Sequence, residues 1–418
     1  MRRRPSQFVC LLLAFVLACA CSFSIPQQSF ADVRATDSVK GTPLARAPIT
    51  DAPDIDAEYA GLCTEDGLVL WERNGMTPTA MASCTKVMTA VVAIENCAPE
   101  TSMYVTYGAA TTDGTSANLQ EGDTATMRDL LLGLLVPSGN DAAVAIAENV
   151  AGNQFAFVDM MNAKALDLGM TNTHFVNASG LDEDNHYTTV DDYYKLVRYA
   201  MGLPLFREIV GKPTATATIG GRVEEFESTN VLFDYMDGVT GIKTGTTDAA
   251  GYCLIASVKH NGIELYAIIF GASTPEARFD DAQTLLEWGF THYRQIELIN
   301  ATIPVGRLAL TDWPDKTVDV YAANPATITI FDYSGEITQE VKLEDWGGAL
   351  QKGARVGTVI WSQNGEVLVT LDLIAAETVN APGFWEGIKI WWSRLWGGFS
   401  GVPDHATTEV FLPTTFAY

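Results

Sequence analysis

The chain reads as a mixed α/β domain followed by a small all-β domain and a C-terminal amphipathic helix. Three observations predict this order. Up to about residue 295, apolar segments of helical period alternate with apolar strand-like runs. From about residue 300 to 377 only short β-rich runs remain, and beyond Pro382 an aromatic-rich segment falls on one helical face.

At the N-terminus, Arg2-Arg3-Arg4 precede an apolar run over residues 8–20, and Ser29-Phe30-Ala31 places small residues at the two positions a signal peptidase reads. The run is shorter than the about 20 apolar residues of a membrane span. Residues 1–31 are therefore expected to be a secretory signal rather than an uncleaved anchor, and Val16-Leu17-Ala18-Cys19 is a poor lipoprotein-type match. A Thr, Pro and Ala-rich linker follows over residues 32–52.

Residues 59–64 and 68–72, separated by Asp66-Gly67, read as a strand hairpin. Over residues 81–96, Val87, Met88, Val91 and Ile94 recur at helical spacing, so Ser83 and Lys86, three apart, share one face near the helix start. Residues 127–136 and 141–150 are strongly apolar helical segments. Residues 252–258 and 265–270 flank His260-Asn261-Gly262, a hairpin turn signal, and residues 276–293 form an amphipathic helix that closes a domain expected over 53–295.

The β-rich runs at 302–308, 318–322, 326–331, 338–342, 356–361 and 366–373 define a second domain over 300–377. At 383–399, Phe384, Trp385, Ile388, Trp391, Trp392, Leu395, Trp396 and Phe399 fall within an arc of about 140° at 100° per residue, with Ile390 the one large apolar exception. So much aromatic surface beside Lys389 and Arg394 suits a helix lying in a membrane surface, and packing on the β-domain is the competing reading. Residues 400–418 are an acidic tail without a clear role.

Composition narrows the partners. The chain has 26 Lys plus Arg against 51 Asp plus Glu, a net charge of −25. Loss of residues 1–31 removes three arginines and no acid. Such a charge argues against nucleic acid, whose binding rests on counterion release by basic side chains. Cys10, Cys19 and Cys21 lie in the expected signal, leaving Cys63, Cys84, Cys97 and Cys253. Four cysteines allow three pairings, but a chain this long buries a large core without staples. Cys84 and Cys253 sit in apolar stretches and read as small buried hydrophobes. Neither the cysteines nor the scattered histidines have metal-site spacing, so no metal or organic cofactor is expected.

Three motifs carry the chemistry, in the order Ser83-Cys84-Thr85-Lys86, Ser138-Gly139-Asn140 and Lys243-Thr244-Gly245. Ser-x-x-Lys and Lys-Thr-Gly occur once each. Ser-x-Asn also occurs at Ser116, Ser228 and Ser362, but only Ser138 lies between the two apolar helical segments. A serine hydroxyl is a weak nucleophile until a neighbouring base takes its proton. Lys86 serves as that base only when neutral, which near pH 7 means a depression from about 10.4 worth about 4 kcal/mol. Burial and a second cation both push in that direction. The chain has no Gly-x-Ser-x-Gly elbow.

In this setting Met81-Ala82-Ser83-Cys84-Thr85-Lys86-Val87-Met88-Thr89-Ala90 closely resembles the nucleophile motif of low-molecular-mass D-alanyl-D-alanine carboxypeptidases, a family of penicillin-binding serine peptidases. Leu134-Leu135-Val136-Pro137-Ser138-Gly139-Asn140-Asp141-Ala142-Ala143, Leu168-Gly169-Met170, Phe175 with Asn177 and Gly180-Leu181, Gly241-Ile242-Lys243-Thr244-Gly245, Ala250-Gly251-Tyr252 and Leu285-Leu286-Glu287-Trp288-Gly289-Phe290 are similar to the family's blocks. The resemblance covers roughly residues 52–295. It implies a β-lactamase/transpeptidase-like catalytic domain, and the β-domain and terminal helix repeat the family's layout.

By that resemblance, Ser83 attacks the bond between two D-alanines ending a peptidoglycan stem peptide, with Lys86 as base, and β-lactam antibiotics acylate the same serine. Ser138 would relay a proton to the leaving amine, and Asn140 would hold the substrate amide and position Lys86. The N–H groups of Ser83 and Thr246 would meet the oxyanion, donors worth about 3 to 4 kcal/mol each. Lys243, Thr244 and Arg278 would take the terminal carboxylate, and the Gly245 backbone belongs to the same strand. His186 and Tyr187 match a family block and read as structural. The expected place is the extracytoplasmic face of the cell membrane.

Three other readings compete. A class A β-lactamase needs a Glu for deacylation, and the comparable stretch offers only Asp182-Glu183-Asp184. A DD-endopeptidase attacks the same bond type within cross-links and is not separated by sequence. A silent wall-binding protein need not keep Ser83, Lys86, Ser138, Asn140 and Lys243 together.

Overall fold

The computed structural model of the chain describes residues 49–363, 365–400 and 406–411, with the side chains of 397–400 excepted. The expected signal at 1–31 with its three cysteines, the linker up to residue 48, the Phe399 side chain and most of the expected tail lie outside that description.

In chain order, β1 (Tyr59–Thr64) and β2 (Val69–Arg73) form the first hairpin, and a 3-10 turn (Ala82–Thr85) runs into α1 (Lys86–Asn96). A helical layer follows, in which β3 (Ser102–Tyr104), α2 (Tyr107–Ala110) and β4 (Thr124–Thr126) precede α3 (Met127–Leu135), α4 (Asn140–Ala151), α5 (Gln154–Asp167), α6 (Val190–Met201) and α7 (Pro204–Val210). The chain returns through the hairpin β5 (Thr214–Ile219) and β6 (Arg222–Glu227) to β7 (Val239–Thr247), β8 (Gly251–His260) and β9 (Ile263–Ala272), then α8 (Ala277–His292).

Strands β2-β1-β9-β8-β7 make one antiparallel sheet in that order. Its central strands are apolar on both faces because both faces are covered. Cys253, Ile255, Tyr266, Ile268 and Phe270 join the core shared with α1 to α7. The alternate residues Leu254, Ala256, Leu265, Ala267 and Ile269 pack with Phe279, Leu285, Leu286 and Trp288 of α8. This double burial is why β8 and β9 read as continuous apolar runs. Strand β7, which pairs with β8, is left at the edge of the sheet, with one side of its backbone unpaired by any strand among the described residues.

The β-rich region follows the mixed α/β region directly. β10 (Tyr293–Ile299) follows α8 without a linker and pairs with β13 (Ala326–Phe331). Around it lie β11 (Gly306–Ala309), β12 (Thr317–Ala322), β14 (Ile337–Leu343), β15 (Arg355–Gln363) and β16 (Glu366–Ala375), then α9 (Phe384–Ser400) and β17 (Glu409–Val410). The sheet order is β14-β15-β16-β12-β11-β17, over a core containing Trp361, Val359, Leu373 and Val320. Thus part of the expected tail is structural: β17 pairs with β11, and the Phe411 N–H donates to the Val305 carbonyl at 2.9 Å.

Ile390 packs against the β-domain core, and the Arg394 guanidinium donates to the Thr311 carbonyl. The one apolar exception to the helix's aromatic arc is therefore its contact with the β-domain. Phe384, Trp385, Trp391, Trp392 and Trp396, between 54% and 76% exposed, face outward.

Candidate active site

Ser83 lies in the 3-10 turn that leads into α1, and the turn delivers Lys86 to the first position of that helix. Lys86 is fully buried. Its Nζ donates to Ser83 Oγ at 2.8 Å, to Asn140 Oδ1 at 2.6 Å and to the Ser179 carbonyl at 2.6 Å. All three partners are neutral. Burial, and then the charge of Lys243, hold the Lys86 amine well below the ordinary lysine range. Lys86 is thus poised to accept a proton from the hydroxyl beside it.

Two non-glycine residues with left-handed backbone stand next to these groups: Ala82 at φ 49° and Ser138 at φ 73°. Such conformations cost about 1 kcal/mol each and persist where surrounding contacts over-determine them. Ser138 is 5% exposed in the turn between α3 and α4, and Asn140 starts α4. Asn140 is held from three sides. Its Nδ2 donates to the Asp113 carbonyl at 2.7 Å, its N–H donates to the Thr115 carbonyl at 2.7 Å, and its Oδ1 faces Lys86. The loop supplying those carbonyls is pinned by Asp141, whose carboxylate accepts the N–H groups of Ala117 and Leu119 and the Ser116 hydroxyl.

The edge strand β7 forms the opposite wall. Gly245 lies so near the nucleophile turn that a Cβ there would sit 2.9 Å from the Ser83 nitrogen and 3.1 Å from the Met81 carbonyl oxygen. Only glycine lets this strand approach so closely. Lys243 is 1% exposed and donates to the Thr244 carbonyl at 2.9 Å; burial pulls its amine down to about 8. The Thr244 hydroxyl is hydrogen-bonded to the Thr229 hydroxyl. Thr246 is exposed and donates its hydroxyl to the Gly245 carbonyl at 2.7 Å. Arg278, at the start of α8, reaches the same strand, with Nη1 3.1 Å from both the Gly245 carbonyl and Thr246 Oγ1. Its buried Nε has no hydrogen-bond partner among the described residues. Arg278 is therefore part of this wall.

The structure thus gathers Ser83, Lys86 and Asn140 into one hydrogen-bonded group, sets Gly245 against it, and joins Arg278 to Thr246. The sequence reading had not singled out the Ser179 and Asp113 carbonyls, Thr229, or the anchoring role of Asp141. Backbone acceptors carry no residue signature, and only the position of Asp141 beside Asn140 offered a signal. Cys84 and Cys253 are wholly buried, and all four described cysteines are free. Burial pushes the Cys84 thiol up to about 12, so it stays protonated beside the serine. In the loop over residues 177–184, Asp182 Oδ2 accepts the Ala249 N–H at 3.0 Å and Glu183 lies 3.3 Å from Asn177 Nδ2. What this loop presents to Lys86 is a carbonyl.

A family model described as D-alanyl-D-alanine carboxypeptidase matches residues 47–274. The chain is 31% identical over 343 residues to D-alanyl-D-alanine carboxypeptidase DacF of Bacillus subtilis, covering 79% of this chain and 87% of that protein. It is 30% identical over 365 residues to D-alanyl-D-alanine carboxypeptidase DacC of Escherichia coli, covering 84% and 90%. Among solved structures, the DD-transpeptidase of Streptomyces K15 superposes with a TM-score of 0.55 at 29% identity, over 57% of this chain and 98% of that one. D-alanyl-D-alanine carboxypeptidase DacD of Francisella tularensis shares the fold with a TM-score of 0.57 at 24% identity, over 82% of this chain and 99% of that one.

Proposed function

The chain belongs to the D-alanyl-D-alanine carboxypeptidase family of serine hydrolases, and from that premise we propose that Ser83 is its nucleophile and Lys86 its base. The observation that carries the assignment is a buried lysine amine, held below its ordinary range, 2.8 Å from a serine hydroxyl. Neutral Lys86 takes the Ser83 proton as the oxygen attacks the carbonyl of the penultimate D-alanine. The N–H groups of Ser83 and Thr246 receive the developing oxyanion. Ser138 passes a proton to the leaving amine, D-alanine departs, and water hydrolyses the acyl-enzyme.

The substrate is the end of a peptidoglycan stem peptide. Its terminal carboxylate meets Lys243, the Thr244 hydroxyl and Arg278, whose unpartnered Nε supports a role in anion recognition. Asn140 holds the substrate amide while keeping Lys86 in place. β-Lactams acylate Ser83 by the same route. Because Asp182 and Glu183 are engaged elsewhere and the 177–184 loop presents a carbonyl to Lys86, the penicilloyl-enzyme hydrolyses slowly.

The test is release of D-alanine from diacetyl-lysyl-D-alanyl-D-alanine by the wild-type chain and by Ser83→Ala and Lys86→Ala. Release by the wild type and its loss in both variants is the expected result. Release by Ser83→Ala would refute the assignment.

The protein acts on the outer side of the cell membrane and rests on it through α9. No described helix is long and apolar enough to cross a bilayer. Support for the surface reading comes from the outward aromatic face of α9, on which Phe384, Trp385, Trp391, Trp392 and Trp396 are all more than half exposed.

A further inference from the structure

His186 is absent from the proposed chemistry, yet it is 7% exposed and bonded on both ring nitrogens. The Val176 backbone N–H donates to Nδ1 at 2.9 Å. A backbone N–H can only donate, so Nδ1 carries the lone pair and Nε2 carries the proton. Nε2 therefore donates to Thr85 Oγ1 at 2.8 Å, and the Thr85 hydroxyl donates in turn to the Ala82 carbonyl at 2.9 Å. Burial pulls the imidazole down to about 4, which keeps it in this neutral form.

The end of this chain matters because of what shares its peptide bond. The Ala82 carbonyl and the Ser83 N–H belong to one planar unit and point in opposite directions, so fixing one fixes the other. Ala82 holds that plane in left-handed backbone at φ 49°, where an alanine does not rest unaided. Gly180 closes on the other side: a Cβ there would lie 1.9 Å from the Ala82 oxygen and 2.9 Å from Thr85 Oγ1. A carbonyl that accepts a hydrogen bond also polarises its own N–H, strengthening it as a donor.

We infer that His186 is a positioning residue for the reaction, acting through Thr85 to fix the plane of the Ala82 to Ser83 peptide and so the direction and strength of the Ser83 N–H. This rests on the proposed role of that N–H as an oxyanion donor. Thr85 is wholly buried and His186 nearly so, so the effect falls on the step in which negative charge develops and not on ground-state binding. Glutamine at 186 has an acceptor and a donor to satisfy Val176 and Thr85; alanine has neither.

The experiment compares Thr85→Val with Thr85→Ser and His186→Ala with His186→Gln in the full chain, with Ser83→Ala as control. It measures the penicillin acylation rate, kcat and KM on the D-alanyl-D-alanine peptide, and the infrared carbonyl stretch of the acyl-enzyme. Thr85→Val and His186→Ala are expected to acylate about 10- to 100-fold more slowly with KM changed less than about twofold. Their acyl carbonyl stretch rises as the donor weakens. Thr85→Ser and His186→Gln recover most of the rate and the wild-type stretch. Wild-type rates in Thr85→Val, slow rates with an unmoved stretch, or glutamine as poor as alanine would overturn the inference. Acylation surviving in Ser83→Ala would instead overturn the underlying reading of the site. Should His186→Ala not fold in a thermal melt, the Thr85 pair decides.

Discussion

In the proposed reaction a single proton decides whether Ser83 works as nucleophile, and two lysines decide where that proton sits. Lys86 would have to be neutral to accept from Ser83, so activity is expected to fall as the pH drops through its pKa. Burial and the Lys243 charge keep that point low. Replacing Lys243 by Met removes the nearby cation, and the acid limb of penicillin acylation is expected to move to higher pH. An unmoved limb in Lys243→Met would mean that burial alone sets the Lys86 proton affinity. On the alkaline side the argument reverses. Lys243 loses its proton near its value of about 8, so the attraction for the substrate carboxylate fades and KM on the peptide rises through that pH. A KM that stays flat to pH 9.5 would remove Lys243 from carboxylate binding.

The nucleophile turn and β7 work only because they touch. At Gly245 a methyl group would meet the Ser83 nitrogen, the Ala82 Cβ and the Met81 oxygen at 2.9 to 3.1 Å. Two of these are backbone atoms that cannot swing aside, so Gly245→Ala must push β7 from Ser83. The expected result is a fall in acylation of at least about 100-fold, the scale of losing one oxyanion donor, with cooperative thermal unfolding retained. Near-normal acylation would show that the wall tolerates displacement. Beside the far end of β7, Glu264 of β9 is wholly buried and pairs with Arg207 at 2.9 and 2.8 Å. It also accepts Thr240 Oγ1 of β7 at 2.8 Å and Ser257 Oγ of β8 at 3.0 Å. Burial opposes its ionisation, but the hydrogen bonds and charge of Arg207, with Thr240, hold the carboxyl below its ordinary range. A carboxylate depressed in this way stabilises the fold above its unfolded pKa and ceases to do so as the pH falls through the folded one. Glu264→Ala breaks the pair from its buried side. It is expected to cost about 3 kcal/mol, read from denaturant unfolding at pH 7, with a smaller difference from the wild type in acid. An equal difference at pH 7 and in acid would show that lost packing, not lost charge, sets the cost.

Across the whole molecule, the C-terminal β-region is joined to the mixed α/β region without slack. Helix α8 ends at His292 and β10 begins at Tyr293. Trp288 of α8 stacks on Tyr333 at a ring separation of 6.1 Å and meets Phe331 edge-on at 6.0 Å, and His292 lies 5.1 Å from the Tyr333 ring. Helix α9 is tied by Ile390 to the β-domain, and the chain beyond it returns as β17. Removing everything after residue 382 would therefore also strip a sheet edge, so side-chain replacement is the cleaner probe of membrane contact. Changing Trp385, Trp391, Trp392 and Trp396 together to Ser is expected to abolish co-sedimentation with anionic vesicles while hydrolysis of the short peptide stays within about twofold, because these rings face outward. Undiminished sedimentation would exclude α9 as the contact.

Much of this was legible in one dimension. The three motifs and their order, the hairpin turns at Asp66-Gly67 and Asn261-Gly262 and the aromatic arc all depend on neighbours a few residues apart, where period and turn chemistry act directly. Ile390 stood out of the arc for a reason that only its contact with the β-domain core supplies. Strand β10 was hidden because its side chains alternate weakly and its pairing partner β13 lies some thirty residues on. The carbonyls of Asp113 and Ser179, the closeness of Gly245 to Ser83, and the relay from His186 to Ala82 left no local trace. They are backbone groups, close approaches and hydrogen-bond directions between distant segments. The order of residues along the chain sets which residue types are available for the chemistry and roughly which helix or strand carries each. That Lys86 is buried, that β7 abuts the Ser83 turn and that the Ala82 peptide plane is held came from the folded arrangement, because burial and orientation arise when remote elements pack and are properties of no segment alone.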